Sequence, residues 1–351
     1  MNKKWMLYGA NGYTGKLVAE EAGKRGLSPI LAGRTEEAIK PMAEELGFEY
    51  RVFPLTDHIK LEEALSDIDI ISLCAGPFSA TSDPVIKACL VTKTHYVDIT
   101  GEMDVFVRAH SYQEQARTAG VVICPGVGFD VIPTDCVSAR LKEELPDATH
   151  LSLGFDSRSG FSPGTAKTSI EGFKGGNRIR RDGMIKKVSM AYKVREIDFG
   201  KGLKKAAVIP WGDVATAFYS TEIPNIEVFM PAFSSMKRLK LLSFLRPVIA
   251  LPFVQSRMKQ KIEKTVPGPT KEQREKYITY VWGEVKNRKN ETRTARITVA
   301  NGYDVTVYGV LASVEFLDKY SGEGGYYTPS LLMGKDLIES FPGSQKMKIT
   351  E

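Results

Sequence analysis

Cysteine is scarce in this chain, and the four present, Cys74, Cys89, Cys124 and Cys136, show no CxxC spacing. That argues against a disulfide scaffold or a zinc ribbon, and the first three lie in or beside apolar stretches where reduced core thiols are expected. Histidine is equally rare. His58, His95, His110 and His150 are far apart and form no HExxH or Cys/His pattern, so no metal site is expected. No apolar run reaches the roughly 20 residues that a bilayer crossing needs. No fixed-period repeat or low-complexity tract is present, and the first apolar stretch is too short for a signal peptide. A cytoplasmic globular protein is the expectation. Its 351 residues, 42% hydrophobic and 26% charged, suffice for two domains of ordinary size.

The charge is unevenly placed. Of a net +6, the stretch Lys237 to Lys264 contributes eight basic residues and one acid, leaving the remainder at −1. A second cluster, Lys174 to Lys187, sets six basic residues against Asp182. Neither interleaves aromatic residues or accompanies a recognition helix, so no nucleic-acid partner is expected. Within the first cluster lies the apolar segment Leu241 to Val254, broken by Pro247 and Pro252. It reads as buried core, as a homodimer face, or as an interfacial element giving 237–264 peripheral contact with an anionic membrane or admitting a lipid or acyl chain.

What the chain does have is glycine where a strand turns into a helix. Gly9-Ala10-Asn11-Gly12-Tyr13-Thr14-Gly15 follows the apolar run Trp5 to Tyr8 and opens a helical stretch. In such a junction the first glycine permits the tight turn, the second lets backbone approach a pyrophosphate, and the third lets helix pack on strand. Helix amide donors and a partial positive charge complete an anion site. A plain structural turn is the alternative. A helix from Lys16 to Arg25 and a strand from Ser28 to Ala32 then complete a β-α-β unit ending in Gly33-Arg34-Thr35. An acidic residue at this place holds the ribose of NAD, and a basic one accommodates the 2′-phosphate of NADP. Arg34, with Thr35 adding a hydroxyl, therefore indicates NADP(H). The other reading has Arg34 solvating a strand end while Glu36 or Glu37 reaches the ribose.

Strand and helix continue to alternate: helices Glu36 to Leu46, His58 to Leu65, Pro84 to Leu90 and Met103 to Ala119, strands Glu49 to Phe53, Asp69 to Cys74, His95 to Asp98 and Gly120 to Cys124. The expected fold is α/β, a Rossmann-type doubly wound parallel sheet. After Asp135 the pattern changes to aromatic-rich segments and a hairpin pair, Tyr277 to Lys289 and Glu291 to Ala300. This predicts a dinucleotide-binding domain over 1–149, a second α+β substrate or dimerisation domain over 150–315, and a C-terminal segment over 316–351 that returns to the first.

Two strand-end segments, Cys74-Ala75-Gly76-Pro77-Phe78 and Tyr96 to Glu102, resemble those of the saccharopine dehydrogenase-like oxidoreductases. The resemblance extends to Pro125 to Asp135, Ser162 to Ser169 and Gly324-Gly325-Tyr326-Tyr327-Thr328-Pro329, and is strongest toward the trans-acting enoyl reductase branch. It implies an NADP-dependent oxidoreductase of cofactor-binding type. Read by themselves, Ala75 and Gly76 clear a path for a dinucleotide, Pro77 stiffens the turn, and Phe78 is placed to cover ribose or nicotinamide. Thr100 and Gly101 would lie near the nicotinamide end, with Glu102 or Asp98 as hydrogen-bond acceptors. Plain loops with Asp98 as a helix cap remain the other reading.

Hydride transfer asks the protein for positioning, dryness and a proton carrier. Asp130, in a glycine-bearing segment, is the first candidate as anchor or proton carrier; capping of the following helix by Asp130 and Asp135 is its alternative. Thr165 and Lys167 are candidates for polarising an oxygen and donating a proton, beside the reading of an ordinary helix start. No tyrosine is followed four positions later by lysine, which argues against the short-chain dehydrogenase class. The expectation is hydride transfer to a C=C, C=O or C=N bond of a hydrophobic or acyl small molecule. An imine reductase using Arg178, Arg180 and Arg181 on substrate carboxylates, or a non-catalytic NADP(H) sensor, stay open beside it.

Overall fold

The computed structural model describes residues 1–158, 160, 162, 164, 166, 176–189, 192–232 and 251–351. Thr165, Lys167 and residues 237–250 of the basic apolar stretch lie outside the described residues. The chain forms two compact units, Met1–Asp130 with Tyr303–Met333, and Val131–Gly302 with Gly334–Glu351. The boundaries thus fall near 130, 302 and 333, where the sequence pattern suggested 150 and 316.

The first unit is built on short, wholly buried strands. β1 (Trp5–Tyr8), β2 (Ile30–Gly33) and β4 (Ile70–Leu73) bury every residue, as strands covered on both faces must. With β3 (Tyr50–Val52), β5 (His95–Asp98), β6 (Val122–Cys124) and β15 (Gly325–Tyr326) they make one sheet in the order β3-β2-β1-β4-β5-β6-β15. Every pairing is parallel. The order reverses direction at β1, between β2 and β4, and the carboxyl ends of strands at such a reversal are where open α/β sheets bind ligands.

The connecting helices are α1 (Tyr13–Lys24), α2 (Glu36–Leu46), α3 (His58–Leu65), α4 (Phe78–Thr92), α5 (Met103–His110) and α6 (Gln113–Ala119). Asp57 caps α3 by accepting from Lys60 N at 3.2 Å, and Gly47 ends α2 in the left-handed region. α4 begins six residues before the Pro84 suggested by the pattern, and Pro84 stands inside it. The long helix expected over Met103 to Ala119 is broken into α5 and α6 around Ser111 and Tyr112.

In the second unit, α7 (Ile132–Glu144) packs on β7 (His150–Asp156), β13 (Thr279–Lys286) and β14 (Thr292–Val299). Gly283 makes this possible, since a Cβ there would stand 2.4 Å from Val137 Cγ1 and 2.8 Å from Leu141 Cδ1. That packing is why residues 131–149 belong here. β10 (Val194–Asp198), β11 (Leu203–Ile209), β12 (Asn225–Pro231) and β16 (Lys348–Thr350) join the same mixed sheet in the order β10-β11-β12-β7-β13-β14-β16. β8 (Asn177–Arg181) pairs with β12 and with β9 (Met184–Val188). Ile179, Ile197, Phe199, Val208, Phe229 and Trp282 form a buried cluster within this unit. Helices α8 (Asp213–Thr221), α9 (Pro252–Thr265) and α10 (Lys271–Lys276) accompany the sheet. The chain then returns to the first unit through α11 (Gly302–Asp318), β15 and α12 (Pro329–Met333). No helix among the described residues is long and apolar enough to cross a membrane.

Candidate cofactor-binding and active site

The loop after β1 is shaped by what its glycines lack. Gly9 takes φ +83°, and a Cβ on it would lie 2.8 Å from Ala75 N and 2.9 Å from Cys74 C. The loop after β4 therefore crosses directly over Gly9. Gly9 N and Ala10 N both donate to Ala32 O, at 2.8 and 3.3 Å, which pins the turn to β2. A Cβ on Gly15 would lie 2.2 Å from Gly9 O, so only glycine lets α1 start this close to the strand. Gly12 is the N-cap of α1, no side chain caps the helix, and its first turn holds no acid. Amide donors and the positive end of the dipole are thus left to an anion, with Asn11, Tyr13 and Thr14 at the rim. The Asn11 side chain lies against Gly33, and the Tyr13 ring meets Tyr303 of α11 edge-on at 5.0 Å.

At the end of β2, Arg34 and Thr35 are exposed, and Thr35 is the N-cap of α2 without using its side chain. Glu36, the competing ribose ligand, accepts from the Tyr50 hydroxyl at 3.1 Å and pairs with Lys40 at 3.5 Å. The Arg34 charge reaches back to β1. The Tyr8 phenol donates to Phe53 O at 2.8 Å; burial pushes its pKa up to about 12, against the pull of Arg34.

The loops after β4, β5 and β6 are tied into one network. Gly76 and Pro77, joined by a cis peptide bond, are exposed, whereas Phe78 is buried and its ring folds back beside Gly76. The Glu102 carboxylate accepts from Phe78 N at 2.8 Å and Ser79 N at 2.9 Å, so a residue from the β5 loop caps α4. Thr81 Oγ1 donates to Ala75 O at 2.7 Å, and Glu102 N donates to the buried Thr100 Oγ1 at 3.0 Å. Asp98 Oδ1 accepts from Thr100 N at 2.9 Å and Gly126 N at 2.8 Å, and its Oδ2 from the Tyr96 hydroxyl at 2.5 Å. Burial pushes the Asp98 carboxyl up to about 6 despite those donors.

Asp130 closes this group. A Cβ on Gly101 would fall 2.3 Å from Asp130 Oδ2, so the carboxyl rests on the Gly101 backbone in space that only glycine leaves open. The residue is half-buried, and desolvation of its enclosed carboxyl pushes the pKa up to about 7. It is not the cap of α7: that position is Val131, and no side chain caps the helix. Asp135 lies in the first turn of α7, buried, and accepts from Ser220 Oγ at 2.7 Å.

The strand ends thus bring Gly9 to Ala75 and Gly101 to Asp130, while Asp98 and Glu102 bind protein donors instead of standing open. Sequence reading missed Glu102 as a bridge and Thr306 altogether. Phe129 N donates to Thr306 Oγ1 at 3.0 Å across 177 residues, a separation for which no local pattern exists. Tyr326 is buried, donates its amide to Gln113 Oε1, and meets the His110 ring edge-on at 5.1 Å, a packing role.

A parallel sheet with a glycine-shaped, uncapped helix start at its point of reversal and a lone arginine after the second strand defines a dinucleotide-binding α/β domain. Residues 5–124 match the family model of the saccharopine dehydrogenase NADP binding domain. The likeness to that family runs over these residues, about a third of the chain. A trans-acting enoyl reductase of Mycobacterium tuberculosis is 33% identical over 139 residues, 37% of this chain and 33% of its own. A saccharopine dehydrogenase-like oxidoreductase of Bos taurus is 29% identical over 150 residues, 37% of this chain and 35% of its own. The chain spans less than half the length of the curated relatives it matches. Apo saccharopine dehydrogenase (L-Glu forming) of Saccharomyces cerevisiae, 13% identical, shares the fold with a TM-score of 0.67 over 99% of this chain and 100% of its own.

Proposed function

We propose that the chain is an NADP(H)-dependent oxidoreductase acting on a C=C, C=O or C=N bond of a hydrophobic substrate, with an unsaturated acyl group as the leading class. Bound NADP(H) supplies or takes the hydride. Gly9, Gly12 and Gly15 with the amides opening α1 would hold the pyrophosphate, rimmed by Asn11, Tyr13 and Thr14. Arg34 and Thr35 would hold the 2′-phosphate. Ala75, Gly76 and Pro77 border the path onward, and Thr100 and Gly101 the far end. The start of α1 at Gly12, with no side-chain cap and no acid in its first turn, supports this fit.

The observation that carries the catalytic part is the Asp130 carboxyl on Gly101, with its pKa near 7. A carboxyl of that kind is about half protonated at neutral pH, and its protonated form gives the proton up to a basic oxygen or carbon as charge develops, the service that hydride delivery to a polarised double bond leaves to the protein. The imine-reductase reading loses support from the arginines it needs. Arg180 is buried, donates to Val214 O at 2.9 Å and Gly183 O at 2.6 Å, and lies over the Phe218 ring; Arg181 donates to the Tyr192 hydroxyl. We also assign the stretch 237–264 to peripheral contact with an anionic membrane. Its described part, α9, exposes Phe253 and Met258 beside Arg257 and Lys261.

The test is NADPH consumption by the purified chain with α,β-unsaturated acyl thioesters of increasing length, ketones and cyclic imines, alongside Asp130→Asn. Turnover with the acyl thioesters that falls about a hundredfold in Asp130→Asn is expected for loss of a general acid. Tight NADPH binding without consumption by any of these classes would establish the sensor instead.

A further inference from the structure

The first turn of α11 reaches the sheet from the far end of the chain and touches both halves of the site. Tyr303 packs on Tyr13 at the opening of α1. One turn on, Thr306 fills the place that a Cβ on Gly128 would take, with Cγ2 2.9 Å and Oγ1 3.1 Å from it, and accepts the Phe129 amide at 3.0 Å. The loop from Gly126 to Asp130 is consequently held at both ends. Asp98 fastens its start through Gly126 N at 2.8 Å and Val127 N at 2.7 Å, the latter to the Asp98 carbonyl. Thr306 fastens its finish, one residue before Asp130.

A bond to the amide of Phe129 fixes the Gly128–Phe129 peptide plane, one peptide before the link to Asp130. The carboxyl has little tolerance for error, because it rests in a space cleared by Gly101, and a swing of the preceding peptide carries it off that seat. We propose that Thr306 is a positioning residue: its buried hydroxyl, delivered by the returning helix, latches the Gly126–Asp130 loop and thereby seats the Asp130 carboxyl on Gly101. This rests on the reading of Asp130 as the proton carrier. It assigns to the C-terminal return a working part in the site, beyond completing the fold.

The experiment uses the full chain without substrate and compares Thr306→Val, which keeps the shape and removes the acceptor, with Thr306→Ser, which keeps the hydroxyl. Amide exchange at Phe129 and the titration of Asp130, followed through its labelled carboxyl carbon, are read in both. In Thr306→Val the Phe129 amide is expected to exchange at least about tenfold faster, the factor one lost hydrogen bond allows. The Asp130 midpoint is expected to fall by about a unit or more toward the ordinary carboxylate range as the group reaches water. Thr306→Ser is expected to retain the parent value for both. An unmoved Asp130 midpoint in Thr306→Val, with faster exchange at Phe129 or without it, overturns the proposal. An Asp130 that titrates in the ordinary range in the parent overturns the proton-carrier reading itself, which keeps the two failures apart.

Discussion

In the proposed site a guanidinium at the end of β2 separates the two cofactors, since a 2′-phosphate would offer it charge and paired acceptors and a 2′-hydroxyl would not. Arg34→Ala is expected to weaken NADPH binding by about tenfold to a hundredfold, the range of a charge-assisted hydrogen bond, and to leave NADH within about threefold. Fluorescence titration with both cofactors measures it, and equal losses would return the ribose to Glu37. Asp130 makes a pH-dependent contribution whose sign follows from its raised pKa. Below the ordinary carboxyl range both folded and unfolded chains hold the proton, and nothing changes. Between there and about 7 the unfolded chain releases its proton while the folded one keeps it, so stability drains as pH rises. Asp130→Asn removes this loss. Its melting temperature relative to the parent is therefore expected to climb from pH 4 to pH 7 and level off above; a constant difference would mean that the carboxyl is not enclosed.

Elements were legible in the sequence where local chemistry decides them. The glycines of the first turn and the apolar run of β4 each announce themselves within a few residues. The starting point of α4 did not, because Phe78 opens the helix only with help from Glu102, twenty-four positions on. Pro84 looked like a first-turn residue and is an interior one. For the same reason the bridge itself is testable: Glu102→Ala strips the cap from α4 and loosens the Ala75–Phe78 loop. A stability loss of about 1 kcal/mol in denaturant unfolding is expected, with NADPH affinity falling and Glu102→Gln recovering part of it. The α9 helix poses a different question of the same scale. Phe253, 60% exposed, shares an arc with Arg257, Lys261 and Met258, a pattern that an anionic headgroup layer matches. Sedimentation with phosphatidylserine-containing vesicles at low salt is expected to carry the chain down, and Phe253→Glu with Lys261→Glu to leave it in solution. Equal sedimentation of both proteins would dismiss the helix as the contact.

Over the whole chain the doubly wound sheet was readable because parallel strands covered on both faces leave continuous apolar runs, whereas the true extent of the first unit was not. Its sixth strand is joined by Gly325–Tyr326, and the opening of α1 and the Gly126–Asp130 loop are met by Tyr303 and Thr306, all from beyond residue 300. Contacts that close across such separations leave no periodicity to read. Their consequence is thermodynamic: a ligand that binds only the native first unit stabilises every segment of that unit together, by an amount set by its concentration relative to Kd. At saturating NADPH, amide exchange is therefore expected to slow in two stretches distant in sequence, the opening of α1 near Tyr13 and the first turn of α11 near Thr306. Arg34→Ala should require correspondingly more NADPH for the same protection in both. Protection confined to residues 1–130, with α11 exchanging at its cofactor-free rate, would show that the returning helix is scaffolding alone. Joint protection that shifts together in the variant would show that the cofactor loop and the C-terminal return open and close as one unit.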